Sequence, residues 1–222
     1  DIKYYAHESA IYVNNEFNLN ENILINGGIR VSSFTHYGPF NRHLKDNSGN
    51  LGAISTDTII SYNAREPIKS YFGFEPRLSS RFLINDFSSI KIGFNQNYQY
   101  IHLTSLSASS LPTDVWIPSS SIIKPLSGKQ YSMGYYRNFK NNKYEFSLEG
   151  YYKTMKNLIE YKENYIPGVT IGTDNVDNNL VSGNGKSYGA ELFFSKTHGK
   201  LTGWIGYTWS KTTRKFNDLN NG

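Results

Sequence analysis

The residues whose type and spacing first suggest chemistry are three glutamates, Glu145, Glu149 and Glu191. Paired carboxylates can work as acid and base on a glycosidic bond, but only within a narrow range of separations. On an extended strand Glu145 and Glu149 project the same way about 13 Å apart, because side chains alternate and each residue rises about 3.3 Å. That is wider than either glycosidase geometry, so a working pair would need Glu191 from another strand. A polar wall whose carboxylates hydrogen-bond or ion-pair with something packed on it explains the same residues and is the favoured reading. Arg77 and Arg81, four apart in a similar pattern, read as charges on that wall rather than as an anion site.

Other chemistries fail on spacing. Gly185-Lys186-Ser187 resembles the end of a phosphate-binding loop, but that loop needs glycine where Leu180 stands, and a helix afterwards where the pattern is a strand. The five histidines are dispersed and form no ligand spacing. His36 and His43 share one long loop, where an incidental surface role is expected. Asp174, Asp177 and Asn179 miss the calcium-loop pattern. No serine sits in a nucleophile elbow. With no cysteine there is no thiolate site or disulfide framework. No enzyme, metal or cofactor is expected.

These residues must be positioned by strands. Ile23, Ile25, Gly27, Ile29 and Val31 alternate with Asn26, Gly28, Arg30 and Ser32, a period of two. Phe72, Phe74, Leu78, Phe82 and Ile84 alternate with Glu75, Arg77, Ser79 and Arg81. Similar runs follow through Ile90–Asn95, Tyr144–Lys153 and Leu201–Trp209. About eight antiparallel strands are expected, joined by short turns near Asn20, Asp86, Asn141 and His198. Long polar stretches, His36–Lys69, Thr104–Gly128 and Glu163–Gly185, read as loops.

Composition bounds the class. Eighteen Tyr and thirteen Phe coexist with a mean hydropathy of −0.53, and no apolar run is long enough for a membrane helix. Strands that meet lipid at alternate positions, with aromatic girdles at the rims, reconcile the two. Several arms exceed the ~10 residues that cross a bilayer at a tilt. The net charge of +5 is scattered, without a nucleic-acid-binding tract. A soluble or surface-attached β-rich module that binds glycans through its aromatics is the alternative, since alternation is common to both.

Short turns on one side and long loops on the other would place both ends of the chain outside the cell. The sequence starts at Asp1 without an initiator Met or a secretory signal. The expectation is therefore a run of hairpins within a larger wall. On this reading Ile25, Ile29, Phe82, Ile92, Phe146, Leu148, Ile205 and Tyr207 face lipid, while Arg30, Glu75, Arg77, Arg81, Glu149 and Glu191 face the lumen. Tyr37, Phe40, Trp116 and Tyr165, on the loops, are the ligand-contact candidates, because aromatic rings offer contact area at low entropic cost.

Several segments carry a resemblance. Glu75-Pro76-Arg77-Leu78-Ser79, Tyr98–Leu103 leading into Leu111–Pro118, Gln130–Tyr135, Gly185–Leu192 and Leu201–Trp204 resemble barrel segments of TonB-dependent receptors, particularly of the Bacteroidetes type. The resemblance implies an all-β antiparallel transmembrane barrel of about 22 strands with a plugged lumen, of which residues 1–222 would form part. It implies the outer membrane of a Gram-negative cell, contact with lipid, a plug domain and TonB as partners, and uptake of an iron chelate, cobalamin, a glycan or a peptide. The plug, a TonB-contacting segment and an aromatic-ended closing strand are not among these residues.

Overall fold

The computed structural model describes residues 3–44, 58–104, 114–163 and 175–219. Its strands are β1 (Tyr5–Asn20), β2 (Ile23–Tyr37), β3 (Phe40–Leu44), β4 (Thr58–Tyr62), β5 (Pro67–Asn85), β6 (Ser88–Gln99), β7 (Ile101–Thr104), β8 (Val115–Pro118), β9 (Leu126–Phe139), β10 (Tyr144–Tyr161), β11 (Leu180–Lys196) and β12 (Gly203–Lys215). One 3-10 turn, Val176–Asn179, precedes β11. Eight strands form a single sheet in the order β1-β2-β5-β6-β9-β10-β11-β12, every pair antiparallel. Two small sheets, β3-β4 and β7-β8, are inserted between members of the large one.

The hairpins close where short polar residues can bend the chain. The Asn20 side chain accepts a hydrogen bond from the Asn22 N–H, and Asn85 does the same for Phe87. These are Asx turns, in which the amide mimics a backbone carbonyl. Lys140, Asn141 and Asn142 take positive φ of 49°, 55° and 63°, a region asparagine tolerates better than most residues. All four tight connections lie where the sequence places them, at one end of the sheet.

The long connections correct the sequence reading. His36–Lys69 is not one loop: β2 runs to Tyr37, β3 and β4 form a hairpin, and β5 starts at Pro67. Within Thr104–Gly128, β8 forms and β9 begins at Leu126; β11 begins at Leu180, inside the stretch Glu163–Gly185. These extensions were hidden because Leu180-Val181-Ser182-Gly183-Asn184-Gly185 and its like do not alternate.

Cross-strand partners in an antiparallel pair share a face, so the register sorts every side chain. Following it from Tyr12↔Arg30 through Arg30↔Glu75, Arg77↔Asn95, Lys91↔Gly134, Gly134↔Glu149 and Glu149↔Glu191 stays on one face throughout. That face is mostly polar or small, with Leu24, Leu83, Phe193 and Trp204 near the tight turns. The opposite face carries Ile11, Val13, Ile29, Phe74, Leu78, Leu148, Ile205 and Tyr207, all exposed. Leu78 is 54% and Leu148 47% exposed on interior strands, far more apolar surface than a sheet in water leaves uncovered.

The apolar face has defined edges. Phe94, Tyr131, Tyr152 and Tyr188 are consecutive partners across four strands. Two residues further from the turns the row becomes Gln96, Lys129, Thr154, Lys186 and Thr213. Near the turns, Phe139 pairs with Tyr144, whose ring stacks on Phe194 at 5.9 Å. From Tyr144 to Tyr152 the strand covers about 27 Å, near the ~9–11 residues that cross a bilayer. An apolar band between two aromatic rows is the outer surface of a transmembrane barrel wall.

Leu148 sits in the middle of that band. Leu148→Lys should destabilise the intact protein in lipid vesicles by roughly 2–4 kcal/mol, whereas Thr154→Lys, at the edge, should cost no more than about 1. Urea unfolding followed by tryptophan fluorescence reads both.

Candidate functional site

Away from the tight turns the strands outrun the apolar band, and here the connections fold into a packed rim. Ile117, Ile123, Tyr161 and Leu180 form its buried apolar cluster. Its polar centre is Asp177. The Arg42 guanidinium donates to the Asp177 carboxylate at 2.6 Å and the Ser120 hydroxyl donates to it at 2.5 Å. The ion pair is buried on both sides, so removing either partner would strand a charge. It ties β3 to the 3-10 turn across 135 residues of sequence.

Neighbouring bonds tighten the same junction. Asn178 donates to the His43 carbonyl at 2.8 Å, while the His43 N–H donates to Asn175 at 2.8 Å. Tyr71 on β5 donates to the Ser120 carbonyl at 2.6 Å, and Tyr161 on β10 donates to Thr104 at 2.9 Å. One rim connection is thus held to the others and to the large sheet.

His36 and His43 are buried, not on the surface as their loop context suggests. His36 lies 5.4 Å from the Phe40 ring and 6.0 Å from Tyr4. Burial, with Arg42 nearby, lowers its pKa from 6.5 to about 4. Burial likewise lowers His102, on β7, to about 4; its ring lies 3.1 Å from the Ser119 hydroxyl. Both are neutral at pH 7. Arg42, Asp177 and Ser120 carry no local sequence signal, since their meeting depends on contacts over 57 and 135 residues.

The four aromatic candidates are divided. Phe40 is packed into the rim, with the Arg42 guanidinium 5.2 Å above its ring. Tyr37 lines a concavity of about 790 Å³ with Tyr5, Pro39 and Arg65. Trp116 stands in the other small sheet, 59% exposed. Beside it Ile117 is buried, so β8 turns alternate side chains in and out. Tyr165 lies outside the described residues.

Arg30, Glu75, Arg77, Arg81, Glu149 and Glu191 all fall on the polar face. Arg30 pairs with Glu75 at 2.8 Å and Glu8 at 3.3 Å. Glu75 is buried and also accepts the Ser32 hydroxyl, which contacts Tyr100 at 2.7 Å. Towards the turns the face opens into a dish of about 830 Å³ floored by Gly28, Gly93 and Ser132. A Cβ at Gly28 would lie 2.9 Å from the Val13 carbonyl, a backbone atom fixed in the ladder, so a side chain there would force the floor to shift. One row there sets like charges directly opposite one another: Arg81 faces Lys91, and Glu149 faces Glu191. Such pairs repel unless something opposite in charge covers them. The described residues supply no ion pair for any of the four.

The family model described as TonB dependent receptor-like, beta-barrel, matches residues 2–222. No curated protein matches the chain significantly. Among solved structures, the FrpB iron transporter from Neisseria meningitidis (F3-3 variant) is similar with a TM-score of 0.62 at 13% identity, over 98% of this chain and 28% of its own. The alcaligin outer membrane receptor FauA from Bordetella pertussis gives 0.56 at 16% identity, over 97% and 32%. The copper transporter OprC gives 0.54 at 14%, over 93% and 30%. The chain therefore spans about a third or less of the structures it matches.

Two outcomes follow for the rim. Arg42→Ala strands the buried Asp177 carboxylate and should loosen the rim by about 3–5 kcal/mol. Hydrogen exchange should rise at 40–44 and 175–180 while the ladder at 144–152 stays protected. Acid should act similarly. An unfolded histidine takes its proton near 6.5, but His36 and His102 take theirs only near 4. Between those values the unfolded rim binds more protons, so rim stability falls as pH drops from 6.5 towards 4 and levels off below. Hydrogen exchange corrected for its intrinsic pH dependence should show this, and His36→Phe should shrink it.

Proposed function

Because the chain belongs to the family of TonB-dependent receptor-like β-barrels, we propose that residues 1–222 form one arc of an outer-membrane receptor wall that takes up a scarce ligand with energy passed through TonB. The observation that carries this is the sorting of side chains by register. Between the aromatic rows charge is confined to one face of an eight-stranded sheet, and a band of exposed apolar residues covers the other, with cations such as Lys129, Lys186 and Lys196 only at or beyond its edges. A soluble glycan-binding sheet would have to cover Ile11, Leu148 and Ile205.

On this reading the polar face lines the lumen, and a plug supplied by the rest of the receptor packs on the dish. The opposed pairs Arg81–Lys91 and Glu149–Glu191 favour such a partner. The tight turns lie in the periplasm and the folded rim outside the cell. The ligand is an iron chelate, cobalamin, a glycan or a peptide. The names of the similar structures, which transport iron or copper or receive alcaligin, favour a metal or its chelate. Recognition belongs to the rim, because connections held by a rigid wall are free of the ladder's constraints. Tyr37, Phe40, Trp116 and Tyr165 remain the contact residues of this reading, with Trp116 the most available. No catalytic step is assigned.

In the intact receptor, Trp116→Ala should weaken ligand binding about tenfold, the loss expected of a truncated aromatic anchor, without lowering the heat-modifiable folded barrel in the outer-membrane fraction. Uptake that persists at full rate without TonB would reject the energised-transport reading.

A further inference from the structure

Unmet hydrogen bonds gather at one place in the rim. His36 has no partner at either Nδ1 or Nε2, and its neighbour Arg42 has none at Nε or Nη2. Both side chains are buried, at 1% and 2% exposure. A buried polar atom left unpaired is costly, and folded proteins keep few of them.

The two Arg42 atoms form a matched pair. Nε–H and one Nη2–H run parallel along one edge of the planar guanidinium, the edge that fits both oxygens of a carboxylate. The remaining nitrogen, Nη1, already donates to Asp177 at 2.6 Å. That bond and the Phe40 ring, 5.2 Å from the guanidinium carbon, fix the plane and aim the open edge. His36 lies close enough for the charges of Arg42 and Asp177 to act on it.

Tyr4 covers this pair. Its ring lies 6.0 Å from His36 and 5.9 Å from Phe40. The same Tyr4 lines the concavity of about 790 Å³ with Tyr5, Tyr37, Pro39 and Arg65, and no carboxylate lines it. Tyr4 precedes the first ladder pair, Tyr5↔Tyr37, so its backbone lies outside the sheet.

We propose that the concavity and the buried pair are one binding site for a small organic carboxylate, entered when Tyr4 swings aside. The apolar body of the ligand lies against Tyr5, Tyr37 and Pro39, and its carboxylate reaches Arg42 and His36. One carboxylate fills the Nε–Nη2 edge with two charge-assisted bonds and accepts the His36 N–H as well. A single water would meet only part of that set. The tyrosine rings offer the body contact area at low entropic cost, and Arg65 at the mouth adds a second cation. The site is built from rim residues alone and does not depend on whether the wall transports.

The test uses the intact receptor in detergent, with benzoate as the probe and benzamide as its uncharged control. Titration calorimetry should show benzoate bound about tenfold or more tightly than benzamide. Arg42→Lys keeps a donor for Asp177 but has no fork, and should lose that margin; hydrogen exchange at 175–180 reports whether its rim is folded. His36→Phe leaves the fork intact and should weaken benzoate about threefold or more. Crystals soaked in 4-bromobenzoate give a result that needs no variant: the bromine should lie in the concavity and the carboxylate on the open edge of Arg42. No binding of benzoate, equal binding of the two probes, or a margin that survives in a folded lysine variant overturns the proposal. So does a soaked carboxylate held by Arg65 alone, or an ordered water on the Arg42 edge with Tyr4 still in place.

Discussion

Hydrocarbon offers no hydrogen bonds, so each backbone N–H and C=O in the apolar band must be satisfied by a neighbouring strand. The rest of the molecule depends on that ladder. Because it is continuous from β2 through β11, the side-chain period of two is carried from strand to strand without ambiguity. Position alone then decides whether a residue meets lipid or water. Glu149 and Leu148 are chemical neighbours on one strand, yet each is acceptable only where it stands. Within the band the polar face holds the charge because the face turned to hydrocarbon cannot.

Where the strands leave the band this requirement relaxes, and a different kind of order takes over. The rim is held by side chains: Arg42, Ser120 and Asp177 from three separate connections converge on one carboxylate, and Tyr71 and Tyr161 fasten the assembly to the large sheet. Among the described residues, apolar side chains are buried around Ile117, Ile123, Tyr161 and Leu180, and where Phe34 stacks on Tyr100. The chain thus follows two rules, a membrane rule in the wall and a water-soluble rule above it, and the division coincides with the row Gln96–Lys129–Thr154–Lys186–Thr213.

The same division explains what could be read from the sequence. Ile23 to Val31 and Tyr144 to Lys153 announce their faces because alternation is the direct consequence of lying between oil and water. The turns at Asn20, Asp86, Asn141 and His198 are equally local, since an Asx side chain or a positive φ involves a few adjacent residues. The rim is hard to read for the converse reason. Extended backbone such as Leu180–Gly185 lacks alternation when neither side is hydrocarbon. His36 reads as a surface residue from its polar neighbours, while its cover comes from Tyr4 and Phe40. Asp177 matches no local ligand pattern, and its partner Arg42 lies 135 residues earlier.

The register irregularities have a consequence for how such a wall can diverge. They fall at Asn18/Asn20, His36/Tyr37, Leu83/Asn85 and Lys156/Leu158, each at a strand end or beyond the aromatic row. Inside the band the count of residues is uninterrupted. An inserted codon there would turn every following side chain through the sheet, sending Glu149 towards lipid and Leu148 towards water. One added at Asn157, already a positive-φ bulge, disturbs only the rim. Substitutions can accumulate anywhere that polarity is kept, but changes of length are confined to the two margins. The genetic freedom of the wall therefore lies at its margins, where connections can be grown or trimmed without re-solving the membrane problem.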